Sequence, residues 1–308
     1  MSLPVDLKTS IHTDVPLKSY STFKIGGQAR YFAEPTTREE LFQVLDFQRT
    51  ERLPLLVIGR GSNLLVSDRG FNGLALSLRG FEPASYSVEN SRFLRVSGGV
   101  SLFRVAFLSQ ECALGGAEFL CHIPGTVGGA VVMNAGFGRP GHGYHEMKDI
   151  LDSFTILDLN SGNLKTLRRE DILFEYRNTH LPAGSLVVEA LFKLHSKPKA
   201  EVEAEIKANF AYRNLVQDLR FPSAGSTFKN QKNGSLTSGQ MLDRAGMKGM
   251  RSGGAMVSER HANFFLNVNH ATAQDVLLLI SMAQKRVHEE FGIQLEPEIR
   301  YVGELPEL

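Results

Sequence analysis

Apolar residues recur at helical spacing in several stretches of the chain. From Thr37 to Arg52, Leu41, Val44 and Leu45 share one face, and Thr37 with Glu40 three places on reads as a capping box. From Ser101 to Ala113 the buried set is Leu102, Val105 and Ala106, and Gly115-Gly116 stops the helix. A third helix, from Glu201 to Leu215, places Val202, Ile206 and Phe210 four apart. The clearest stripe runs from Thr272 to Glu290, where Val276, Leu279, Ile280, Ala283 and Val287 line up between a Thr272/Asp275 cap and a terminating Gly292. Shorter apolar segments predict strands at Leu55–Ile58, Asn63–Val66, Ala75–Leu78, Phe93–Val96, Ser153–Leu159 and Leu164–Leu167. Ser185–Leu194 alternates Leu186, Val188, Ala190, Phe192 and Leu194 with a face holding Glu189 and Lys193, as a half-buried strand does. Ile293–Val302 reads as a final strand with Glu296 and Glu298 two apart on one face.

One stretch breaks this pattern. Gly115 to Gly138, GGAEFLCHIPGTVGGAVVMNAGFG, holds seven glycines and no Lys or Arg. Such backbone turns sharply or lets something approach where a Cβ would block it. An anion held there must be met mainly by main-chain N–H groups, which suggests a diphosphate-bearing cofactor or nucleotide. A set of tight turns explains the glycines equally well. A second glycine segment, Gly59–Asp68 (GRGSNLLVSD), follows the strand at Leu55–Ile58. It is no dinucleotide fingerprint, because the last glycine of G-x-G-x-x-G is missing and strand follows where a helix should. No Walker loop occurs anywhere.

The 308 residues allow two or three domains, and 42% hydrophobic with 22% charged residues allows a real core. Lys197-Pro198-Lys199 looks like a boundary. A net charge of +1 argues against nucleic acid or an anionic membrane as the main partner. The N-terminus lacks a basic start followed by an apolar core, and no long apolar run occurs, so a soluble, non-exported, cytoplasmic protein is expected. Cys112 and Cys121 lack the spacing of a zinc site or a C-x-x-C pair and are expected to be free thiols. His142 and His145 sit in a Gly-Pro loop with no further ligand at a recognisable spacing, so no metal is expected.

Toward the C-terminus, Pro222–Asn230 (PSAGSTFKN) sets Ser226 in a turn after Gly225. Turn-capping serines outnumber catalytic ones, and no G-x-S-x-G elbow is present. Arg177 in EYRNTHL and Glu298 in LEPEIRYVG are a further polar pair, for which an ordinary solvated ion pair is the plainer explanation. His261 in SERHANFF reads as a loop-ordering residue. Lys248, near glycines in AGMKGM, is the better phosphate candidate.

Taken together, STFKIGGQA (Ser21–Ala29), GRGSNLLVSD, AEFLCHIPGTVGGAVVMNAGFG, YRN (Tyr176–Asn178), PSAGSTFKN, AGMKGMRSGGAMVSERHANFFLN (Ala245–Asn267) and LEPEIRYVG (Leu295–Gly303) resemble one family. It is UDP-N-acetylenolpyruvoylglucosamine reductase, the flavoenzyme of peptidoglycan precursor synthesis, and the motifs span nearly the whole chain in family order. The resemblance implies an α+β fold: a two-lobed FAD-binding module of the vanillyl-alcohol-oxidase type followed by an α+β substrate-binding domain. Its implied bounds are 1–80 and 81–200 for the FAD lobes and 201–299 for the UDP-sugar domain, with 300–308 a candidate return to the first lobe.

The resemblance also implies roles. Gly59, Arg60, Gly61, Ser62 and Asn63, with Ile123, Pro124, Gly125, Thr126, Gly128, Gly129, Ala130 and Asn134, would hold FAD. NADPH would reduce the flavin, and UDP-N-acetylglucosamine enolpyruvate would then be reduced to UDP-N-acetylmuramate. Arg177, Ser226 and Glu298 would be catalytic: Arg177 for the enolpyruvyl carboxylate, Ser226 as proton donor to an enolate-like carbon, and Glu298 with a carboxyl pKa raised by burial and like charge. Lys229, Lys248 and Asn263 would contact the diphosphate and uridine. The short connection from Ser196 to Pro222 matches the type II form, and a monomer is expected. The chain departs from the family pattern at His122, where glycine is usual, at Thr179 (serine) and at Gln231 (proline). Rival readings are another FAD oxidase or dehydrogenase of the same fold, and a non-catalytic nucleotide-sugar binding protein.

Overall fold

Residues 11–81, 86–231 and 234–304 are described by a computed structural model of the chain. The ten N-terminal residues, on which the non-exported expectation rests, and the last four of the 300–308 segment lie outside them. The backbone divides into two units. The first comprises Ala33–Arg60 and Leu76–Arg213, and the second His12–Phe32, Gly61–Ala75 and the chain from Asn214 onward.

The first unit is organised by the alternating segment predicted at Ser185–Leu194. Observed as Ser185–Lys193, it is the central strand of an antiparallel five-stranded sheet with the order Leu164–Arg168, Leu151–Asp158, Ser185–Lys193, Phe93–Ser97 and Tyr86–Glu89. Helix α1 (Arg38–Thr50) belongs to this unit. Helices α2 (Leu102–Glu111) and α3 (Val127–Val132) contribute Leu102, Val105, Val127 and Val131 to a core shared with Leu94, Val96, Phe154 and Phe192 of the sheet. The short α4 (Met147–Ile150) leads into the sheet, and α5 (Lys199–Val216) sends Val202 and Ile206 to Ala106 and Cys121. Both cysteines are free, Cys121 buried and Cys112 half-buried.

In the second unit a sheet of order Ser223–Ser226, Phe264–Asn267, Ala255–Val257 and Arg251–Ser252 packs against α6 (Ser238–Arg244) and α7 (Ala273–Phe291). The α7 stripe is the one read from the sequence, with Val276, Leu279, Ile280, Ala283 and Val287 all buried. Its first N–H groups are met by Thr272 and also by the Asp68 carboxylate, 2.9 Å from Ala273 N, which suits the positive end of a helix dipole. Gly292 ends it at φ +68. Arg300–Val302 pairs in parallel with Leu64–Val66.

Two expectations change. The final strand is only Arg300–Val302, because Pro297 has no N–H and the stretch before it joins its neighbour through a single bridge, Phe228 with Pro297. The Gly-Pro loop holding His142 and His145 is the end of a hairpin pairing Gly136–Arg139 with Gly143–Glu146. Helix α6, which no apolar periodicity signalled, starts at a full capping box formed by Thr237 and Gln240. Among the described residues no helix is long and apolar enough to cross a membrane, and no cluster of three or more His, Cys, Asp or Glu could hold a metal ion.

Candidate functional site

In the first unit the two glycine segments meet. A Cβ on Gly59 would lie 2.5 Å from Thr126 Oγ1, so only glycine lets the segments close on one another. Arg79 Nε donates to Gly59 O at 3.0 Å and fixes the turn. Thr126 caps α3 through Gly129 N. The leading N–H groups of α3 are directed into protein: Val127 to Val100 O, Gly128 to Gly98 O at 2.8 Å, and Ala130 to Thr126 O. The helix start is therefore bolted to the sheet, and the surface it leaves open is formed by exposed Pro124 and Gly129 with half-buried Ile123 and Gly125. This wall carries no bulky polar side chain, as a flat aromatic cofactor ring requires. Arg60 is exposed, and Ser62 and Asn63 are half-buried, offering the charged and short polar donors a diphosphate needs. In the second unit Gly61 sits at φ +61, where a Cβ would meet Tyr20 O at 2.3 Å. Asn63 Nδ2 donates to Glu298 O at 3.0 Å, and Asn63 O accepts from Arg300 N at 2.8 Å. These residues fit FAD.

Asn134, expected at the cofactor, is fully buried with its amide spent on protein. Nδ2 donates to Glu175 O at 3.0 Å, and Oδ1 accepts from Lys148 N at 3.1 Å. The Glu175 contact belongs to a tight hairpin that pairs Phe174–Glu175 with Asn178–Thr179 and leaves Tyr176 and Arg177 at the turn. Thr179 Oγ1 donates to Val131 O, so its retained hydroxyl ties the same hairpin to α3. Arg177 adopts φ +57, a left-handed conformation uncommon for a non-glycine residue. Its Nη1 donates to Tyr144 Oη at 2.6 Å, its Nη2 to Gly136 O at 3.3 Å, and its guanidinium lies 4.8 Å from the Tyr176 ring centroid. Although Tyr144 is 48% exposed overall, desolvation of its phenol pushes the pKa above the ordinary value, the Arg177 charge opposing, so it stays neutral. Tyr144 gave no sequence signal: it lies in a glycine-rich hairpin without alternation, and its link to Arg177 is purely tertiary.

His122 is buried, its ring 3.9 Å from that of Phe137 and nearly edge-on to Phe210. Arg213 Nη1 donates to the His122 carbonyl. Burial, with the Arg213 charge second, pushes the imidazole pKa down to about 4.

The second unit holds Ser226 and Glu298. Ser226 ends the strand paired to Phe264–Asn267, and the chain after it lies beside 296–298, with Glu298 N donating to Thr227 O and Lys229 N to Glu296 O. Glu298 Oε2 is out of solvent contact. Gly225, at φ +77, has no atom within 4 Å of where a Cβ would be, which leaves open space beside Ser226. Lys229 pairs with Glu296, and Lys248 with Asp243 at 2.6 Å. Such partly exposed pairs contribute only ~0–1 kcal/mol, so a phosphate can replace either carboxylate. Asn263 is buried, and its side chain bonds both backbone groups of Phe228.

Residues 29–168 match the family described as FAD binding domain, and residues 217–302 match UDP-N-acetylenolpyruvoylglucosamine reductase, C-terminal domain. A UDP-N-acetylenolpyruvoylglucosamine reductase of Syntrophus aciditrophicus is 41% identical over 294 residues, covering 94% of this chain and 91% of the relative. One from Caldicellulosiruptor bescii is also 41% identical over 294 residues, covering 94% and 90%. The crystal structure of the Thermus caldophilus UDP-N-acetylenolpyruvylglucosamine reductase superposes with a TM-score of 0.76 at 33% identity, covering 95% of this chain and 98% of that one.

Proposed function

The chain belongs to the UDP-N-acetylenolpyruvoylglucosamine reductase family, and from that premise we propose that it reduces the enolpyruvyl ether of UDP-N-acetylglucosamine to UDP-N-acetylmuramate with electrons from NADPH. The enzyme is an FAD-dependent oxidoreductase of α+β fold. The observation that carries the reading is Arg177, held in a left-handed turn by Tyr144 and Gly136 and hinged to the glycine-rich helix through Asn134 and Thr179. A strained, over-determined arginine is costly unless its position serves a task.

FAD, when bound, would supply the hydride, and Gly59–Asn63 with Ile123–Gly125, Thr126 and Gly128–Ala130 would hold it. Addition at the vinyl carbon remote from the ether oxygen sends negative charge toward the substrate carboxylate. Arg177, permanently cationic and fork-shaped, meets that charge, and because its guanidinium is already oriented little reorganisation is needed as the charge develops. Ser226 delivers a proton to the adjacent carbon: an alcohol is a weak acid, but an enolate carbon is a strong base. Glu298, kept protonated, accompanies the carboxylate. Lys229 and Lys248 exchange their surface carboxylates for the substrate's diphosphate. A monomer in the cytoplasm, with no nucleic acid or membrane partner, completes the reading.

Half-reactions test it. In Ser226→Ala, NADPH bleaches the flavin at nearly the wild-type rate while the enolpyruvyl sugar reoxidises it at least about a hundredfold more slowly, the range of a lost general acid. Equal loss in both halves overturns the proton-donor role.

A further inference from the structure

We propose that Asn263 is a positioning residue for Ser226, one that fixes the backbone carrying the hydroxyl and makes no contact with substrate; the inference rests on the reading of Ser226 as proton donor. The strand that delivers Ser226 is weakly anchored by its own ladder. Its pairing with Phe264–Asn267 slips between Ser223 and Ser226, and Gly225 between them takes φ +77 with open space beside it. Left at that, the hydroxyl would sit on a segment free to shift.

The anchor lies just after it. Thr227 N donates to Asn263 O at 2.8 Å, Phe228 N donates to Asn263 Oδ1 at 2.9 Å, and Asn263 Nδ2 donates to Phe228 O at 2.8 Å. Three hydrogen bonds from one residue thus hold the two residues that follow Ser226. From the other edge, Glu298 N donates to Thr227 O at 2.8 Å and Lys229 N to Glu296 O at 2.9 Å, so the same clamped segment sets the Glu298 backbone as well.

The clamp needs a carboxamide. A planar group with a donor at one end and an acceptor at the other serves an N–H and a C=O of one residue, whereas a carboxylate turns an acceptor toward the Phe228 carbonyl. The site is closed: Asn263 is 3% exposed, Thr227 2% and Phe228 0%. A side chain so enclosed, with both ends engaged, offers no atom to a uridine or diphosphate. The clamp is itself braced, since Asn263 N donates to His261 Nδ1, and Ser258 Oγ accepts from Arg260 N and His261 N while donating to the buried Asp218 carboxylate at 3.1 Å.

The test uses full-length holoprotein with Asn263→Ala, Asn263→Asp, Ser226→Ala and the double variant Ser226→Ala/Asn263→Ala. For each, flavin reduction by NADPH, reoxidation at saturating enolpyruvyl sugar, and sugar affinity by calorimetry on the oxidised enzyme are measured. In Asn263→Ala, reoxidation falls by about tenfold or more, as a misplaced reacting group requires. Sugar affinity stays within about threefold and flavin reduction is unchanged. Adding Asn263→Ala to Ser226→Ala costs no further rate. Asn263→Asp recovers reoxidation as the pH falls through the titration of the new carboxyl, whose protonated form regains the donor. In the wild-type protein the Asn263 side-chain amide resonance stays in place when sugar saturates the site, a measurement that needs no variant to fold. A weakened sugar affinity with normal reoxidation, equal loss in both half-reactions, multiplying losses in the double variant, or a side-chain amide that shifts on sugar binding overturns the proposal. Normal reoxidation in Ser226→Ala overturns the proton-donor reading and this one with it, whereas a crippled Ser226→Ala beside a normal Asn263→Ala overturns this one alone.

Discussion

Arg177 sits where its backbone is least comfortable, and its two forked contacts, to Tyr144 Oη and Gly136 O, explain why only a guanidinium suffices. Lysine carries the charge but has no planar fork, so Arg177→Lys lowers kcat and kcat/KM alike, by about tenfold or more, if the contact is made chiefly in the transition state. Steady-state kinetics with the enolpyruvyl sugar check this, and a rise in KM alone contradicts it. His122 shows what a residue-level departure from the family pattern does. Its site among Phe137 and Phe210 keeps the ring neutral, with a pKa of about 4 against the ordinary 6.5. The native state therefore resists a proton that the unfolded chain accepts, and the stability present above about pH 6.5 drains away as the pH falls toward 4. Denaturant unfolding of wild type at pH 5 is about 2 kcal/mol less favourable to the folded state than at pH 7 on this account alone, and His122→Phe removes that portion of the slope. The sequence revealed the departure at His122 but not its aromatic neighbours Phe137 and Phe210, which come from two separate stretches of the chain, and it was silent on Tyr144.

At the scale of elements, legibility followed periodicity. The stripes of α1, α2, α5 and α7 were readable because each buries one face, and the ends were readable where cap residues bracket the stripe, as the Thr272/Asp275 box and Gly292 do. The Thr37 box is only half made: Thr37 Oγ1 accepts from Glu40 N at 3.2 Å, while the Glu40 carboxylate turns to Thr36 N and Oγ1. The 136–146 hairpin was not readable, since its glycines serve close backbone approach and leave no alternating face. Gly138, opposite Tyr144, would carry a Cβ 2.9 Å from Tyr144 Cα. The glycine segments were legible as close approaches, but their main-chain groups serve the protein: the leading N–H groups of α3 join it to Gly98 and Val100. The Gly59 to Thr126 contact is the element-scale test. Gly59→Ala drives a methyl to within 2.5 Å of the hydroxyl that caps α3, so FAD occupancy of the purified protein falls at least about tenfold, read from its flavin-to-protein absorbance ratio, with a lower melting temperature. Full occupancy at an unchanged melting temperature contradicts this.

For the whole molecule, the motifs in family order indicated more than composition or periodicity could, and the relatives cover nearly the full chain. Periodicity located the cores of both units, whereas the sequence could not say that the segment after Ser226 lies between Asn263 and the 296–298 stretch, because that adjacency joins residues tens of positions apart. The central claim is that this protein passes electrons from NADPH through bound flavin to an enolpyruvyl sugar. Its most direct test is an anaerobic titration of the purified, yellow holoprotein. NADPH bleaches the visible flavin absorption, and UDP-N-acetylglucosamine enolpyruvate then restores it with stoichiometric formation of UDP-N-acetylmuramate. A colourless protein that only binds the sugar, or a bleached flavin that oxygen reoxidises and the sugar does not, contradicts the account.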